Sequence, residues 1–464
     1  MFPPSVGDCV RVQVDVRDGR GNQLCRGGDD IRVVLQEPNK GAFLSTDVHD
    51  LGNGSYIADI PLLWEGSPYI KASLSYNTEL VRAHQYVRSA LKSLKFISAV
   101  FQTKFASEAT LCDTLPILSW YKNTCNLTEG NGGIEWYCGR PGNTKLDCSN
   151  WSYNIELDFV NPLPLTKAEL ELNLLVKSDE NLGNLPLKIN INVSKALTRN
   201  NNFKKLNNNI TEINLQSWQS NAPRGHFFKE SWIPRFTNDP ILEDPRRIAC
   251  LHNTTILLSG DSNMRLAFER LSRRVGCRIN TGVVHPKWHH PLSCIDKKKS
   301  IKIYWQIHAL PFHTAAAERK PREDTKSTVT FLDEIPTEGK YVVMIHLYLH
   351  FTVHHYVVFL KHIRAIRQAL DRVLTRNPQV KLVIRGPHMS MKKWDTIQGG
   401  DVLAHIYTRI IKQELKGLYD KVYFLQPWDM TVAIESRFFH PPNMVNDPLA
   451  DMVLKYLVLH ESVY

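Results

Sequence analysis

The sequence predicts a multidomain protein in which a β-sandwich and a cysteine-rich segment precede an α/β domain built on a parallel sheet. Three observations support this: alternating strands before about residue 89, four clustered cysteines between residues 112 and 148, and strand–helix alternation after about residue 254. A chain of 464 residues, of which 43% are hydrophobic, is long enough for two or three domains. We place the units at residues 1–95, 96–238 and 239–464.

The first unit is predicted from period-two alternation between turn signals. Valines at every second position from 10 to 16 alternate with polar residues, as in a half-buried strand. Further strands are predicted at residues 31–35, 54–60 and 69–76. Short strands separated by turns indicate a β-sandwich. In the second unit, residues 163–177 and 188–193 are candidate strands, and the Asn-rich stretch 200–209 is a predicted loop.

Cysteines and glycosylation sequons indicate a secreted or secretory-lumen protein. Cys112, Cys125, Cys138 and Cys148 cluster as in a disulfide-stapled segment, with the pairing open. The odd total of nine cysteines indicates a partner upstream or one free thiol. Residues 1–6 lack a signal peptide, so we expect the signal segment upstream, the alternative being an intracellular protein. Asn-x-Ser/Thr sequons lie at Asn53, Asn126, Asn150, Asn192, Asn209 and Asn253.

Several other classes of protein and site are not expected. Residues 341–360 form the nearest approach to an apolar run of about eighteen, and four histidines interrupt it, so no membrane span is predicted. The net charge of +11 fits an anionic glycan surface, but the basic residues are spread out and no nucleic-acid motif is present. His285, His289 and His290 lack a carboxylate or cysteine at ligand spacing, so no metal and no cofactor are expected.

The third unit opens with the element that carries the candidate chemistry, residues 254–271. An apolar run at residues 256–258 stops at Gly260, and Met264, Phe268 and Leu271 then recur at helical spacing. This pattern predicts a strand, a sharp turn and a helix. Ser262 would lie at the helix N-terminus, where free backbone N–H groups favour a developing anion.

The elements that follow predict a parallel sheet with helices on both faces. Asp447-Pro448 is predicted to open the final helix, with the aspartate as N-cap. Ligands of such sheets bind beyond the carboxyl ends of the strands, where Ser262 would lie. Strands are predicted at residues 301–307, 341–347, 380–384 and 422–425, and helices at 359–373 and 402–415.

Several motifs resemble the neurexophilin and PC-esterase domain (NXPE) family. Those of the first two units resemble its immunoglobulin-like domain and cysteine-rich part: Gly27-Gly28-Asp29-Asp30, residues 50–56, Leu63-Trp64-Glu65-Gly66 and Trp136-Tyr137-Cys138. Those of the third unit follow the order of its C-terminal domain: Gly260-Asp261-Ser262, His350-Phe351, Trp428–Ala433 and His440-Pro441-Pro442. That domain is similar to the SGNH (GDSL-type) hydrolases.

The resemblance implies an O-acyl esterase or acyltransferase that acts on glycans or glycoproteins. Ser262 would be the nucleophile and His440 its base, and the turn Gly260-Asp261-Ser262 would supply an oxyanion donor through the Ser262 N–H. Arg437 stands where the family pattern has the carboxylate that orients the histidine, so that role falls to Asp429 or Glu435 or is unfilled.

Tyr348 replaces a glycine of the family pattern and could fill the space for a substrate carbonyl. These two departures leave an alternative open. In it, the protein is a non-catalytic extracellular binding protein that keeps the SGNH fold, and its β-sandwich contacts a partner protein.

Overall fold

The fold is described from a computed structural model. It describes residues 3–91, 96–116, 118, 121–157, 167, 187–195, 210–219, 223–234, 251–280, 291–298, 300–308, 326–352, 354–390 and 401–461. Apart from residue 167, the candidate strand at 163–177 and the predicted loop at 200–209 lie outside these residues. Within the described ranges, no helix has the length and apolarity needed to cross a membrane.

Two antiparallel sheets form the N-terminal β-rich part. Its first elements are β1 Cys9–Asp15, β2 Asp30–Glu37, β3 Ala42–Thr46, β4 Val48–Asp50, β5 Ser55–Pro61, β6 Tyr69–Tyr76 and helix α1 Thr78–Leu91. Later residues add β12 Leu187–Asn190, helix α2 Ile210–Ser217, β13 Gly225–Phe228 and β14 Ser231–Pro234. The sheets have the orders β1-β5-β4 and β12-β6-β2-β3-β13-β14 and share a hydrophobic core.

The four strands predicted in this part are present, and two features differ from the prediction. Strands β3 and β4 were missed: the sequence of β3, AFLST, lacks regular alternation of apolar and polar residues, and β4 has only three residues. The larger sheet also takes β12, β13 and β14 from residues 187–234, so it crosses the predicted boundary at residues 95 and 96. Strand pairing over this distance leaves no local sequence signal.

The cysteine-rich segment forms a third antiparallel sheet. Its strands are β7 Phe96–Gln102, β8 Ser107–Asp113, β9 Thr124–Asn126, β10 Tyr137–Gly139 and β11 Trp151–Leu157, in the order β11-β7-β8-β10-β9. Disulfides pair Cys112 with Cys138, Cys125 with Cys148 and Cys277 with Cys294. The predicted stapling of this segment is therefore confirmed. Cys9 and Cys25 are exposed free thiols, and Cys250 lies outside the described residues.

The C-terminal part is built on a seven-stranded sheet. Its strands are β15 Thr254–Gly260, β16 Ile279–Asn280, β17 Leu292–Asp296, β18 Ile301–Ile307, β19 Lys340–His346, β20 Lys381–Arg385 and β21 Val422–Leu425. Strands β18-β15-β19-β20-β21 run parallel, and β17 and β16 extend the sheet antiparallel beyond β18. The predicted parallel sheet is thus present, with an antiparallel edge.

Helices cover both faces of this sheet. They are α3 Ser262–Val275, α4 Thr328–Asp333, α5 Tyr356–Arg376, α6 Ala404–Glu414, α7 Trp428–Ala433 and α8 Asn443–Glu461. Helices α3 and α8 share one hydrophobic core, and α4, α5 and α6 share the other. The expected helix start at Asp447-Pro448 is wrong: α8 begins at Asn443, so Pro448 lies inside it. In the first turn of α8, the backbone amides of Val445 and Asn446 both donate to the carbonyl of Pro442.

Helix α7 joins the C-terminal part to the larger N-terminal sheet. The side chains of residues 31, 33 and 35 in β2 face the core between the N-terminal sheets. Val34, on the opposite face of β2, packs against Val432 of α7. The Gln36 amide donates to the carbonyl of Ala433 at 2.8 Å, and the Ser45 hydroxyl donates to that of Asp429 at 2.9 Å. Both faces of β2 are therefore buried, one of them by α7.

Candidate active site

Ser262 lies at the turn between β15 and α3. It is the first residue of α3, and Asp261 is the N-cap, whose side chain accepts from the Asn263 N–H at 2.8 Å. The first-turn N–H groups of a helix have no intrahelical acceptor and carry the positive end of its dipole. The strand, turn and helix predicted for residues 254–271 are present.

Gly260 allows this turn to lie close to the neighbouring strand β19. A Cβ at residue 260 would lie 2.6 Å from the His346 carbonyl oxygen and 2.8 Å from the Met264 Cβ. Both distances are too short for real atoms, and the first involves backbone that cannot move aside. A glycine is required here for steric reasons, and the Ser262 turn is therefore rigidly placed against the sheet.

The structure brings Ser262 and His440 into hydrogen-bond contact. The Ser262 Oγ lies 2.6 Å from the His440 Nε2, although the residues are 178 positions apart. Ser262 is half-buried and His440 is exposed, so the contact is open to a substrate. With the proton of the neutral ring on Nδ1, Nε2 accepts from the serine hydroxyl. A contact of this kind lets an imidazole take the serine proton as the oxygen attacks.

Buried histidines lie beneath the Ser262 turn. The His346 Nδ1–H donates to the Arg385 carbonyl at 3.0 Å, and its Nε2 lies 3.7 Å from the Asp261 carboxylate. Burial lowers the pKa of His346 to about 4, and it places the pKa values of His308 and His388 well below the ordinary range. These rings are therefore neutral at physiological pH.

Two buried side chains near the Ser262 turn, Asp261 and Arg385, carry charge. Burial raises the pKa of Asp261, and Coulomb attraction to the surrounding imidazoles once they are protonated, His346 first, lowers it by more, so the pKa of Asp261 lies below the usual value. Burial lowers the pKa of Arg385 to about 10, an effect that Asp261 partly offsets. Asp261 is therefore ionised and Arg385 protonated at neutral pH, and the negative charge behind the serine has a buried counter-ion.

Residues 232–457 match the family model described as NXPE family member 4-like, C-terminal domain. The matched residues include both Ser262 and His440. This domain belongs to the NXPE family. Among solved structures, a protein described as a GDSL-like lipase from Parabacteroides merdae ATCC 43184 is 12% identical, with a TM-score of 0.26, and the match covers 45% of this chain and 97% of that one. This likeness is too weak to support an argument about fold or function.

In the NXPE domain, the two carboxylates considered as partners of His440 are bound to other residues. Both oxygens of Asp429 accept from Arg224, one from its backbone N–H at 3.0 Å and one from its guanidinium at 3.2 Å. Glu435 accepts from the Lys71 ammonium at 2.6 Å. Each therefore has a cation to neutralise it, and the role of orienting carboxylate stays unassigned.

Tyr348 of the NXPE domain lies in the hydrophobic core. Its side chain is 0% exposed, and its ring meets those of His388 and Tyr407 edge to face at 5.3 and 6.3 Å. Burial raises the pKa of its hydroxyl well above the ordinary value. Because its ring has no accessible surface, Tyr348 does not line the exposed side of the Ser262–His440 contact.

Other histidines of the domain have structural partners. His350 contacts His308 through ring nitrogens 3.0 Å apart, and His355 caps α5 by accepting from the Val357 N–H at 3.3 Å. No group of three or more His, Cys, Asp or Glu side chains in the described part of the chain is placed to hold a metal ion. The three histidines considered as metal ligands, His285, His289 and His290, lie outside the described residues.

The glycosylation sequons differ in accessibility. Asn150 is half-buried, and its side chain accepts from the Asp147 N–H at 2.9 Å, which restricts its access. Asn209 lies outside the described residues. The remaining four sequon asparagines are exposed: Asn53, Asn126, Asn192 and Asn253.

The residues that hold the His440 loop were not predicted from the sequence. The carbonyls of Phe439 and Pro441, on either side of His440, accept from the side chains of His388 and Asn446. One signal was present in the sequence, because His388 closely follows the end of a predicted strand, where the residues of such sites collect.

Proposed function

We propose that this protein is a secreted or secretory-lumen serine O-acyl esterase or acyltransferase that acts on glycans or glycoproteins. The observation that carries the proposal is the 2.6 Å contact between Ser262 Oγ and His440 Nε2 at a helix N-terminus. A serine hydroxyl is a weak nucleophile until a base takes its proton, and an adjacent imidazole supplies that base.

The geometry supports a two-step acyl transfer. The Ser262 Oγ attacks the ester carbonyl while His440 Nε2 takes its proton, and the Ser262 N–H donates to the oxyanion that forms. When the tetrahedral intermediate collapses, the bond to the leaving alcohol breaks and His440 returns the proton to that oxygen. Water or a glycan hydroxyl then attacks the acyl-serine, with His440 again as base, which releases an acid or a new ester.

We also propose the fold families of the two parts and the cellular compartment that the sequence motifs imply. The N-terminal sheets would be an immunoglobulin-like sandwich and the C-terminal part an SGNH-type domain, in keeping with a turn-borne serine at the carboxyl end of a parallel strand. Three disulfides support folding in an oxidising compartment. The exposed sequons fit the same location.

A fluorophosphonate probe tests the catalytic proposal. The wild-type protein should be labelled at Ser262, and Ser262→Ala should abolish labelling. His440→Ala should slow it by about a hundredfold to ten-thousandfold, the usual contribution of a general base. Ser107→Ala is the matched control, because Ser107 is an exposed serine in β8, outside the NXPE domain.

A folded wild-type protein without labelling would contradict the proposal and favour the alternative, a non-catalytic extracellular binding protein. Circular dichroism of the same sample establishes that it is folded. Labelling of Ser107→Ala at the wild-type rate shows that the probe reports on Ser262 rather than on exposed serines in general.

A further inference from the structure

His440 lies in an exposed loop whose neighbouring peptides are both anchored. The carbonyl of Phe439 accepts from the His388 Nε2–H at 2.9 Å. The carbonyl of Pro441 accepts from the Asn446 side-chain amide, near the start of α8. The backbone on each side of His440 is therefore fixed to buried residues, although the His440 ring itself is exposed.

His388 is buried, and the backbone that follows it is held by hydrogen bonds. It is 0% exposed, and because a carbonyl can only accept, its Nε2 carries the proton. The next two backbone amides donate to Thr431 Oγ1 at 3.0 Å and to an Asp401 carboxylate oxygen at 3.1 Å, from Met389 and Ser390 respectively. The segment after β20 thus forms a buried support that links α7 to the His440 loop.

We propose that His388 is a positioning residue that fixes the imidazole of His440 against the Ser262 hydroxyl. The inference rests on the proposed function, because the contact it preserves is the one assigned to catalysis. A single hydrogen bond from a rigid, buried ring restrains the peptide that precedes His440. Loss of that bond lets the loop shift, and a misplacement of about 1 Å can cost about a hundredfold in rate.

The test compares three variants for two readouts. His388→Phe keeps a ring but removes the donor, whereas His388→Gln keeps an N–H at a similar distance from the backbone. His362→Phe is the matched control, since His362 is also buried, at 4% exposed, but its Nδ1–H donates to the Val358 carbonyl within its own helix α5 at 2.9 Å. Thermal unfolding is recorded for all three, and His388→Met replaces His388→Phe if the latter does not fold.

The first readout is the rate of fluorophosphonate labelling. We expect His388→Phe to lower it by about a hundredfold, His388→Gln to restore most of the loss, and His362→Phe to leave it unchanged.

The second readout does not require ester chemistry. In a Ser262→Cys background, an imidazole next to the introduced thiol raises its thiolate fraction at neutral pH. Peptide-resolved alkylation with iodoacetamide over a pH series then reports how close His440 lies. We expect His388→Phe to raise the apparent pKa of that thiol and to slow alkylation at pH 7 by about tenfold, and His388→Gln to reverse both effects.

The two readouts separate failure of the inference from failure of the proposed function. If a folded wild-type protein is not labelled but alkylation depends on His388 as expected, the catalytic proposal is lost and the positioning role stands. If folded His388→Phe matches the wild type in labelling and alkylation, or behaves as His362→Phe does, the positioning role is overturned. The positioning role is also overturned if a folded His388→Gln variant is labelled and alkylated as slowly as His388→Phe.

Discussion

Replacing Arg32 by methionine should strongly destabilise the protein. Its guanidinium makes two 3.1 Å hydrogen bonds to the Asp401 carboxylate and one of 2.6 Å to Asp30, and it lies 5.1 Å from the centre of the Trp428 ring. The side chains of Arg32 and Asp401 are 5% and 0% exposed. Arg32→Met leaves the Asp401 charge buried without its cation, a loss that typically costs about 3–5 kcal/mol.

The assay is denaturant unfolding followed by circular dichroism and tryptophan fluorescence. The matched control is Arg11→Met, because Arg11 pairs with Asp59 in the same two-bond manner, at 2.7 and 3.0 Å, but both side chains are at least half exposed. We expect no measurable shift for that control. The double variant Arg32→Met/Asp401→Leu should recover much of the loss, because it removes both charges. Equal midpoint shifts for Arg32→Met and Arg11→Met would show that the buried Asp401 charge does not depend on Arg32 for its stability.

Three further predictions follow from buried and exposed groups. Gly260→Ala should destabilise the protein by about 1–3 kcal/mol, measured by urea unfolding, because the added methyl group meets the His346 carbonyl; an unchanged midpoint would contradict this. Burial lowers the pKa of His346 and His362 to about 4. As the pH falls, the histidines of the unfolded chain therefore bind protons before those of the folded protein do. The free energy of unfolding should decrease between about pH 6.5 and 4, by up to about 1.4 kcal/mol per pH unit for each histidine. Urea midpoints at pH 7 and 5 check this, and His362→Gln should flatten the dependence. Intact mass from a secretory host should reveal at least three disulfides on reduction and N-glycans removable by peptide-N-glycosidase; a fully reduced, unmodified chain would count against the proposed location.

Elements with a strong local pattern were predictable from the sequence. The strand, turn and helix around Ser262 follow from an apolar run, a glycine and helical spacing, all within eighteen positions. The pairing of Ser262 with His440 was proposed from residue types and motif order, and the structure places the two in contact. Its catalytic meaning stays a prediction.

Features that depend on distant contacts were not predictable in the same way. Arg32 and Gln36 alternate with apolar residues and would be taken as solvent-facing in an isolated sandwich, but α7 buries them. The Asp447-Pro448 pair has the pattern of a helix start, yet the preceding prolines already provide one. His388 has no motif of its own, because its role depends on a carbonyl 51 positions later.

Trapping of an acyl-enzyme is the measurement that decides whether Ser262 and His440 carry out acyl transfer. The protein is mixed with an activated acetate ester, quenched in acid after a short time and mapped by peptide mass spectrometry. We expect one acetyl group on Ser262 in the wild type, much less in His440→Ala and the wild-type amount in Ser107→Ala. Acetylation spread over surface lysines with none on Ser262, or equal Ser262 acetylation in the wild type and His440→Ala, would contradict it.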